Sequence, residues 1–388
     1  MSYTVIGGGL AGLTAAIEVA RRGSPVRLIE QHHELGGRAG TTEKDGFALN
    51  FGPHAVYLQG FTYQTLTHWG VMPSGSRPVL ADGARMVLDG RAHGFVRSLA
   101  GLATCDFLSE PERAEAGRVW TKLADPEGGH GLTMAGWLDR EVQSPVVRQF
   151  FQGLTRLSTY CGQPELQSAE AVLRQVAIGN AGVTYVDGGW RSMVRNLADY
   201  AVSLGVRIET GTPATEAGSG TILAVSSKEV ERLTGCSLGP LTPILMASLD
   251  LALEKLPDCA AVFGLGLDQS LYLSAHSEWV KVAPPGGALV HVAKYLGGSE
   301  SDAVRDRAQL EHFADLLIPG WREQVHFARF LPEMVVTHSV TGLTPRPDVD
   351  ALGLDGVRIA GDWVGPEGML ADTAVASGLR AARGLLAR

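Results

Sequence analysis

The chain contains few of the residues that mark several large classes of protein. Its 388 residues include only four cysteines, Cys105, Cys161, Cys236 and Cys259. They are widely scattered, with no CxxC pair and no His/Cys cluster at metal-ligand spacing. This pattern argues against a disulfide framework and against a metal site, so we expect a reducing, cytoplasmic environment.

Basic stretches and long apolar stretches are also scarce. Lys and Arg total 33 against 41 Asp and Glu, a formal net charge of -8. No run of basic residues with interleaved aromatics offsets this balance, so we expect no nucleic-acid partner. The apolar N-terminus lacks the basic segment of a secretory signal. No uncharged apolar stretch of 18 residues is available to span a bilayer.

One apolar stretch leaves peripheral membrane contact open. We predict a helix at 242–256, and its segment 244–253 is almost entirely apolar. Such a helix could touch a lipid surface, although packing inside the protein is the interpretation we favour.

The N-terminus carries the most informative pattern. A short apolar strand, Tyr3 to Ile6, runs into Gly7, Gly9 and Gly12 and then into an Ala/Leu-rich helix that extends to Arg22. Gly7 allows the tight turn, Gly9 lets a pyrophosphate approach backbone N–H groups, and Gly12 lets the helix pack closely on its strand. This order of elements predicts a dinucleotide-binding fold.

The next strand ends in the acidic residue that such a fold needs. Glu30 follows Gly12 by 18 residues, the spacing at which a carboxylate accepts hydrogen bonds from the adenosine ribose and repels a 2′-phosphate. Gly36, Gly37 and Arg38 follow shortly after, where the phosphates of an extended ligand could continue. NAD-binding proteins rarely need this second glycine pair, so the pattern favours FAD.

The rest of the chain alternates between nucleotide-binding and other patterns. We predict further helices at 106–123, 133–151, 168–176, 190–204 and 370–386. We predict strands at 206–210, 221–225, 260–267, 270–274, 279–283, 288–296 and 357–360. The runs between 260 and 296 are separated by turns such as Pro-Pro-Gly-Gly, which indicates an antiparallel meander.

These elements predict an α/β fold with two discontinuous domains. A Rossmann-type FAD-binding domain would take residues 1–60, 181–235 and 336–388, and an α+β substrate domain containing the antiparallel sheet would take 61–180 and 236–335.

At this point the chain resembles the superfamily of FAD-dependent oxidoreductases that includes flavin amine oxidases, protoporphyrinogen oxidases and phytoene-desaturase-like enzymes. The resemblance rests on five groups of residues: Gly7 to Gly12, Glu30, Gly36-Gly37-Arg38, Gly188-Gly189 before a helix, and Gly361-Asp362 with the closing helix through Gly378.

The resemblance implies non-covalent FAD and a position for each contact. Arg38 would lie near the pyrophosphate, and Asp362 would accept a ribitol hydroxyl. The backbone of 369–371 would face the flavin N1 and C2=O edge, where a helix N-terminus stabilises the negative charge of reduced flavin. The predicted FAD contacts are Gly7, Gly9, Leu10, Ala11, Gly12, Glu30, Gly37, Arg38, Pro53, His54, Ala214, Gly361, Asp362, Met369, Leu370 and Ala371.

Two of these predicted contacts lie outside the glycine motifs. Ala214 fills the place where the family often has a valine whose backbone meets the adenine. Gly52-Pro53-His54 looks like the segment that passes close to the isoalloxazine in phytoene-desaturase-like proteins. His54 is the one catalytic candidate, to orient substrate or transfer a proton, and its alternative role is support of the backbone.

Other candidates are weaker. His291 and Lys294 alternate on a predicted strand and could line the pocket, although ion-paired or exposed positions suit them equally. We expect Tyr272, Tyr295 and Trp279 to form pocket wall or core.

Three functions are compatible with these residues. The first is a phytoene-desaturase-like enzyme that transfers hydride from a lipophilic, unsaturated substrate to flavin N5. The second is a flavin amine oxidase, weakened because Leu370 stands where those relatives carry an aromatic and no cysteine follows Cys259 to tether flavin. The third is a binding protein like the GDP-dissociation inhibitors, which Glu30, Arg38 and Asp362 argue against. Double-bond isomerisation is a further flavin chemistry that remains open.

Overall fold

The computed structural model describes residues 2–80, 83–297 and 301–387. The helices within these ranges are α1 Leu10–Arg21, α2 Phe61–His68, α3 Leu99–Ala103, α4 Glu110–Lys122, α5 Met134–Glu141, α6 Pro145–Thr159, α7 Ala169–Asn180, α8 Trp190–Ser203, α9 Ser227–Thr234, α10 Ala303–Leu317 and α11 Ala371–Leu386.

The strands of the first half are β1 Tyr3–Ile6, β2 Val26–Ile29, β3 Thr41–Lys44, β4 Phe47–Asn50, β5 Val56–Tyr57, β6 Gly75–Ser76, β7 Ala84–Leu88, β8 Arg91–Gly94 and β9 Val183–Val186. Those of the second half are β10 Arg207–Glu209, β11 Thr221–Leu223, β12 Ile244–Leu253, β13 Phe263–Gly266, β14 Leu271–Ala275, β15 Ala288–Leu296, β16 Val325–Thr337 and β17 Val357–Ile359.

A five-stranded parallel sheet carries the glycine-rich turn. Its strand order is β10-β2-β1-β11-β17, and every neighbouring pair runs parallel. Its strands are short and largely apolar because helices cover the sheet, as in doubly wound folds. All five strands lie within the three ranges predicted for the FAD-binding domain, while the domain boundaries themselves stay a prediction.

A second sheet of seven strands lies in the predicted substrate ranges, except for the last two residues of β16. Its order is β16-β12-β15-β14-β13-β7-β8. Strands β13 and β7 pair in parallel, and the other neighbours pair antiparallel. This confirms the predicted fold class, a Rossmann-like parallel sheet with a second sheet rich in antiparallel pairs.

The predicted helix at 242–256 is wrong. Ile244–Leu253 forms β12, the long strand between β16 and β15. A continuous apolar run of ten residues shows no period that separates a buried helix from a strand buried on both faces. Because nine of these ten residues are buried in the sheet, the run presents no apolar face to a lipid surface.

Two further predictions need correction. Residues 279–283 form no strand but an irregular segment after the short 3₁₀ turn His276–Glu278, with Val280 and Val282 buried beside β4. The single helix predicted at 133–151 is two helices, since Pro145 opens α6 and the chain between α5 and α6 is extended. None of the helices in the described ranges is long and apolar enough to cross a membrane.

Candidate functional site

A continuous cavity of about 710 Å³ runs between the two sheets, a volume typical of ligand pockets. Segments distant in sequence line it: the glycine-rich turn and residues 29–32, 36–39, 51, 53–57, 212, 214, 224–226, 334–336, 338, 361–363, 370–372 and 374. The two ends of the chain therefore border one ligand-sized space.

The glycine-rich turn has the geometry that a phosphate needs. Gly7 has a φ of 106°, which favours glycine. A Cβ on Gly12 would lie 1.9 Å from the Gly7 carbonyl oxygen, so this glycine is required for close packing. A Cβ on Gly9 would meet no atom nearer than 3.8 Å. Helix α1 begins at Leu10 without a side-chain cap, so its first N–H groups are available to an anion.

Glu30 stands beside this turn. Its Oε2 accepts a hydrogen bond from the Gly8 N–H at 2.7 Å, and its Oε1 accepts one from the His32 N–H at 2.9 Å. Both Glu30 and Ala214 line the cavity. The acidic side chain is therefore held at the end of β2 with further acceptor capacity for a ribose.

The second glycine pair is joined to the first. The Gly36 N–H donates to the Gly8 carbonyl at 2.8 Å, and Gly37 has a φ of 53° with no atom within 4 Å of a built Cβ. Gly37 and Arg38 begin a short 3₁₀ turn that lines the cavity. This arrangement leaves open space beside Arg38.

Arg38 reaches the other end of the chain. Its Nη1 donates to Asp362 Oδ2 at 2.8 Å and to the Val336 carbonyl at 2.7 Å. Asp362 also accepts hydrogen bonds from the His338 N–H at 2.8 Å and from His338 Nδ1 at 3.0 Å. Burial opposes ionisation of Asp362, yet Arg38 and His338 together hold its pKa far below its ordinary value. The carboxylate is therefore charged and already engaged.

His54 lies in the loop after β4. Its Nδ1 lies 2.9 Å from the Gly52 carbonyl, which can only accept, so Nδ1 carries the proton. The ring packs edge-on against Trp190, with centroids 4.5 Å apart. Burial lowers the pKa of His54 to about 4, so the imidazole is neutral near pH 7 and Nε2 has a free lone pair. His54 and Pro53 both line the cavity.

The N-terminus of α11 meets the same cavity. Leu370 precedes this helix with a φ of 58°, a conformation rare for leucine, and the helix has no side-chain cap. Leu370 and Ala371 line the cavity, whereas Met369 packs behind them in the apolar core. The backbone of this segment, not the Met369 side chain, is positioned to contact a ligand.

His291 and Lys294 do not line the cavity. His291 is buried and lies 2.7 Å from Asp250 Oδ1, while Lys294 pairs with Asp306 at 2.5 Å. Both contact a buried carboxylate instead of the cavity. Tyr272 and Tyr295 belong to the buried core, and Trp279 packs half-buried against the cluster around Phe47.

Several lining residues were absent from the sequence predictions: Tyr57, Tyr160, Trp190, Met246, Met334, His338 and Asp372. None belongs to a recognisable motif. Met246 and Met334 are paired across β12 and β16, and His338 follows the end of β16. Only the folded sheet brings them to the cavity.

The comparisons with known proteins agree with this geometry. Residues 5–68 match the family model of the NAD(P)-binding Rossmann-like domain. The carotenoid 3,4-desaturase of Haloarcula japonica is 28% identical over 247 residues, which cover 55% of this chain and 50% of that protein. The 4,4'-diaponeurosporene oxygenase of Staphylococcus aureus (strain bovine RF122) is 26% identical over 247 residues, covering 54% of this chain and 48% of that protein.

Solved structures share the fold along the whole chain. An oxidoreductase from Methanosarcina mazei superposes with a TM-score of 0.81 at 16% identity, covering 99% of this chain and all of that one. Putrescine oxidase bound to putrescine has a TM-score of 0.73 at 15% identity, covering 100% of both chains. At such identities the likeness concerns the fold alone.

These relatives and neighbours are oxidoreductases. The predicted resemblance to phytoene-desaturase-like enzymes and flavin amine oxidases is thereby confirmed, with carotenoid enzymes among the sequence relatives and an amine oxidase among the fold neighbours. The chain spans about half the length of the curated relatives it matches.

Proposed function

We propose that this protein is an FAD-dependent oxidoreductase of the phytoene-desaturase-like type, acting on a lipophilic, unsaturated substrate of isoprenoid or polyene character. The named sequence relatives act on carotenoid substrates, and the lining of the cavity fits such a molecule. The proposed setting is the cytoplasm, at or near the membrane surface from which a lipophilic substrate would be taken.

The residues of the cavity fit FAD. Open space at Gly9 and Gly37 would admit the phosphates, and the first N–H groups of α1 together with Arg38 would neutralise their charge. Glu30 would hold the adenosine ribose, Ala214 would lie at the adenine, and Asp362 would lie at the ribitol. The α11 N-terminus would face the flavin edge. Bound non-covalently there, FAD would supply the hydride acceptor.

The observation that carries the substrate class is the state of the carboxylates along the cavity. All four that line it in the described ranges are already engaged: Glu30 by backbone N–H groups, Glu229 by Arg232, Asp362 by Arg38 and His338, and Asp372 by the Thr62 N–H at 2.8 Å. Burial raises the pKa of Asp372, which favours its neutral form. Glu229 and Asp362 pair with cations, Glu30 would be taken by the ribose, and the neutral form of Asp372 carries no charge, so an ammonium substrate would find no free counter-charge.

Apolar and aromatic side chains also line the cavity that His54 borders. They are Phe51, Tyr57, Tyr160, Met246, Met334 and Leu370. Apolar and polarisable groups of this kind stabilise a hydrocarbon by burial and by contacts with its π system. Positioning in such a site supplies much of the rate enhancement.

His54 is the proposed catalytic residue. Removal of two hydrogens from adjacent carbons takes one as hydride and one as a proton. A C–H next to a carbon that has lost hydride is strongly acidic, so a weak neutral base suffices. The free Nε2 of His54 meets this need, because its Nδ1 proton is held by the Gly52 carbonyl.

Spectroscopy of the purified protein tests the proposal. We expect the visible absorption of bound flavin, and we expect anaerobic bleaching when a conjugated isoprenoid is added in detergent micelles. Empty micelles are the control. Bleaching by amines instead of the polyene would identify an amine oxidase, and a protein that takes up no FAD would contradict the proposal altogether.

A further inference from the structure

The guanidinium of Arg346 is buried directly behind the N-terminus of α11. The residue is 9% exposed, and each of its five N–H groups has an acceptor. Nε donates to the Gly365 carbonyl; Nη1 donates to the hydroxyls of Thr341 and Thr373; Nη2 donates to the carbonyls of Glu367 and Gly368. All five acceptors are neutral groups.

The positive charge of Arg346 has no direct counter-ion in the described parts of the chain. Asp362 and Glu367 act on it through space, but each already pairs with another cation, Arg38 at 2.8 Å and Arg380 at 2.6 Å respectively. Burial lowers the pKa of Arg346 to about 10, so it stays protonated at neutral pH. An unpaired buried charge is costly, and its field extends into the surroundings with little screening.

This charge is separated from the cavity by one short segment of backbone. Gly368, whose carbonyl Arg346 binds, precedes Leu370, and Thr373, whose hydroxyl it binds, lies in the first turn of α11. Leu370 and Ala371 line the main cavity, whereas Arg346 borders a small void behind Met369 and Leu370. The guanidinium thus supports the α11 N-terminus from the side opposite the cavity.

We propose that Arg346 is a positioning and electrostatic residue that raises the reduction potential of flavin bound at the α11 N-terminus. The inference rests on the proposed function, since it requires FAD in the cavity. Two electrons and one proton convert oxidised flavin into its anionic reduced form, which bears the negative charge at N1. The helix N-terminus and the fixed charge of Arg346 act in the same direction on that anion.

Potentiometry of the holoprotein tests this role. We expect R346M to retain FAD but to lower the two-electron midpoint potential, with reduced flavin stabilised about tenfold less, equivalent to ~30 mV. R346K retains the charge and should shift the potential by less than half as much. Sulfite, which leaves negative charge on the flavin when it adds, should bind about tenfold more weakly to R346M.

A matched control lies at the other end of the same helix. Arg358 is also buried, at 7% exposure, and donates to the carbonyls of Val357 and Gly384. Gly384 is 13 residues beyond Ala371, about 20 Å along α11. R358M should therefore leave the potential unchanged.

Three outcomes would overturn the role of Arg346. One is a midpoint potential of FAD-loaded R346M that equals that of the wild type. Another is an equal shift in T373V, which removes one hydrogen bond but keeps the charge, since a geometric effect would then explain the result. The third is an equal shift in R358M. If R346M does not fold, R346Q undergoes the same comparison. A wild-type protein without FAD would instead contradict the proposed function itself.

Discussion

Arg38 and Asp362 form an ion pair at 2.8 Å although 324 residues separate them in the chain. The pair joins the segment after Glu30 to the turn before the closing helix. It is completed by His338, which binds both carboxylate oxygens of Asp362. Three distant segments therefore share one charged cluster at the wall of the cavity, and its integrity can be tested.

Asp362→Asn should destabilise the protein in a pH-dependent way. Because the folded-state pKa of Asp362 is depressed, its carboxylate stabilises the fold at pH values above the unfolded pKa of about 4, and this contribution is lost as the pH falls towards the folded value. We expect the free energy of unfolding of the variant to be lower than that of the wild type by about 1–3 kcal/mol at pH 7. This difference should shrink below pH ~4. Urea unfolding between pH 3 and 8 measures it, with the exposed pair Asp139–Arg148 supplying the control D139N.

Glu30→Ala should weaken FAD binding. The variant loses the acceptor that holds the Gly8 N–H and the proposed ribose contact, so we expect Kd to rise about 10- to 100-fold, as for hydrogen bonds to charged groups. Titration of the apoprotein with FAD, followed by flavin fluorescence, gives Kd. Glu43→Ala, which removes an exposed partner of Arg191, is the control. Equal affinity in the two variants would show that Glu30 does not contact the cofactor.

Gly12→Ala should prevent normal packing of α1. A Cβ there would lie 1.9 Å from a backbone oxygen, so we expect a large drop in Tm together with loss of FAD. Gly117 is also helical but has open space around it. Gly117→Ala should therefore stabilise the protein by about 0.5–1 kcal/mol. Differential scanning calorimetry compares the two, and similar Tm values would contradict the close approach of α1 to its strand.

His54→Ala should slow the reductive half-reaction about 100-fold or more if the residue acts as a base, while FAD affinity changes less. The neutral ring is the active form, so the wild-type rate should be flat with respect to this group between pH 5 and 8 and should fall as the pH approaches the pKa of about 4. Stopped-flow bleaching of the flavin measures the rate. An unchanged rate in the variant would remove His54 from the mechanism and leave it a role in supporting the loop at Gly52.

The local parts of the fold were predictable because they depend on short-range rules. The strand, glycine turn and helix at the N-terminus follow from steric demands that only glycine meets at Gly7 and Gly12. The closing helix and β15 were placed correctly for similar reasons. The apolar run of β12 was mistaken for a helix, since side chains buried on both faces leave no periodic signal.

The cavity lining contributed by β12 and β16 could not be read from motifs. Met246 and Met334 lie side by side only because β12 and β16 pair in one particular register, and a shift of one residue would turn the side chain of the strand that moves to the other face. His338 reaches Asp362 for the same reason. Arg346 has no sequence signal at all, because its acceptors are mostly backbone carbonyls whose positions depend on the loop around them.

The amino-acid sequence by itself determined the glycine-rich turn after β1, the acid that follows β2 and the helix that closes the chain, since each depends on residues close together in the chain. The tertiary structure alone decided which carboxylates are already paired, which imidazole nitrogen is free and where a buried positive charge lies. Asp362 and Asp372 are engaged by segments more than 300 residues away. The shorter-range contacts of His54 and Arg346 become buried only after the sheets have assembled, and burial then changes the energy of each charge.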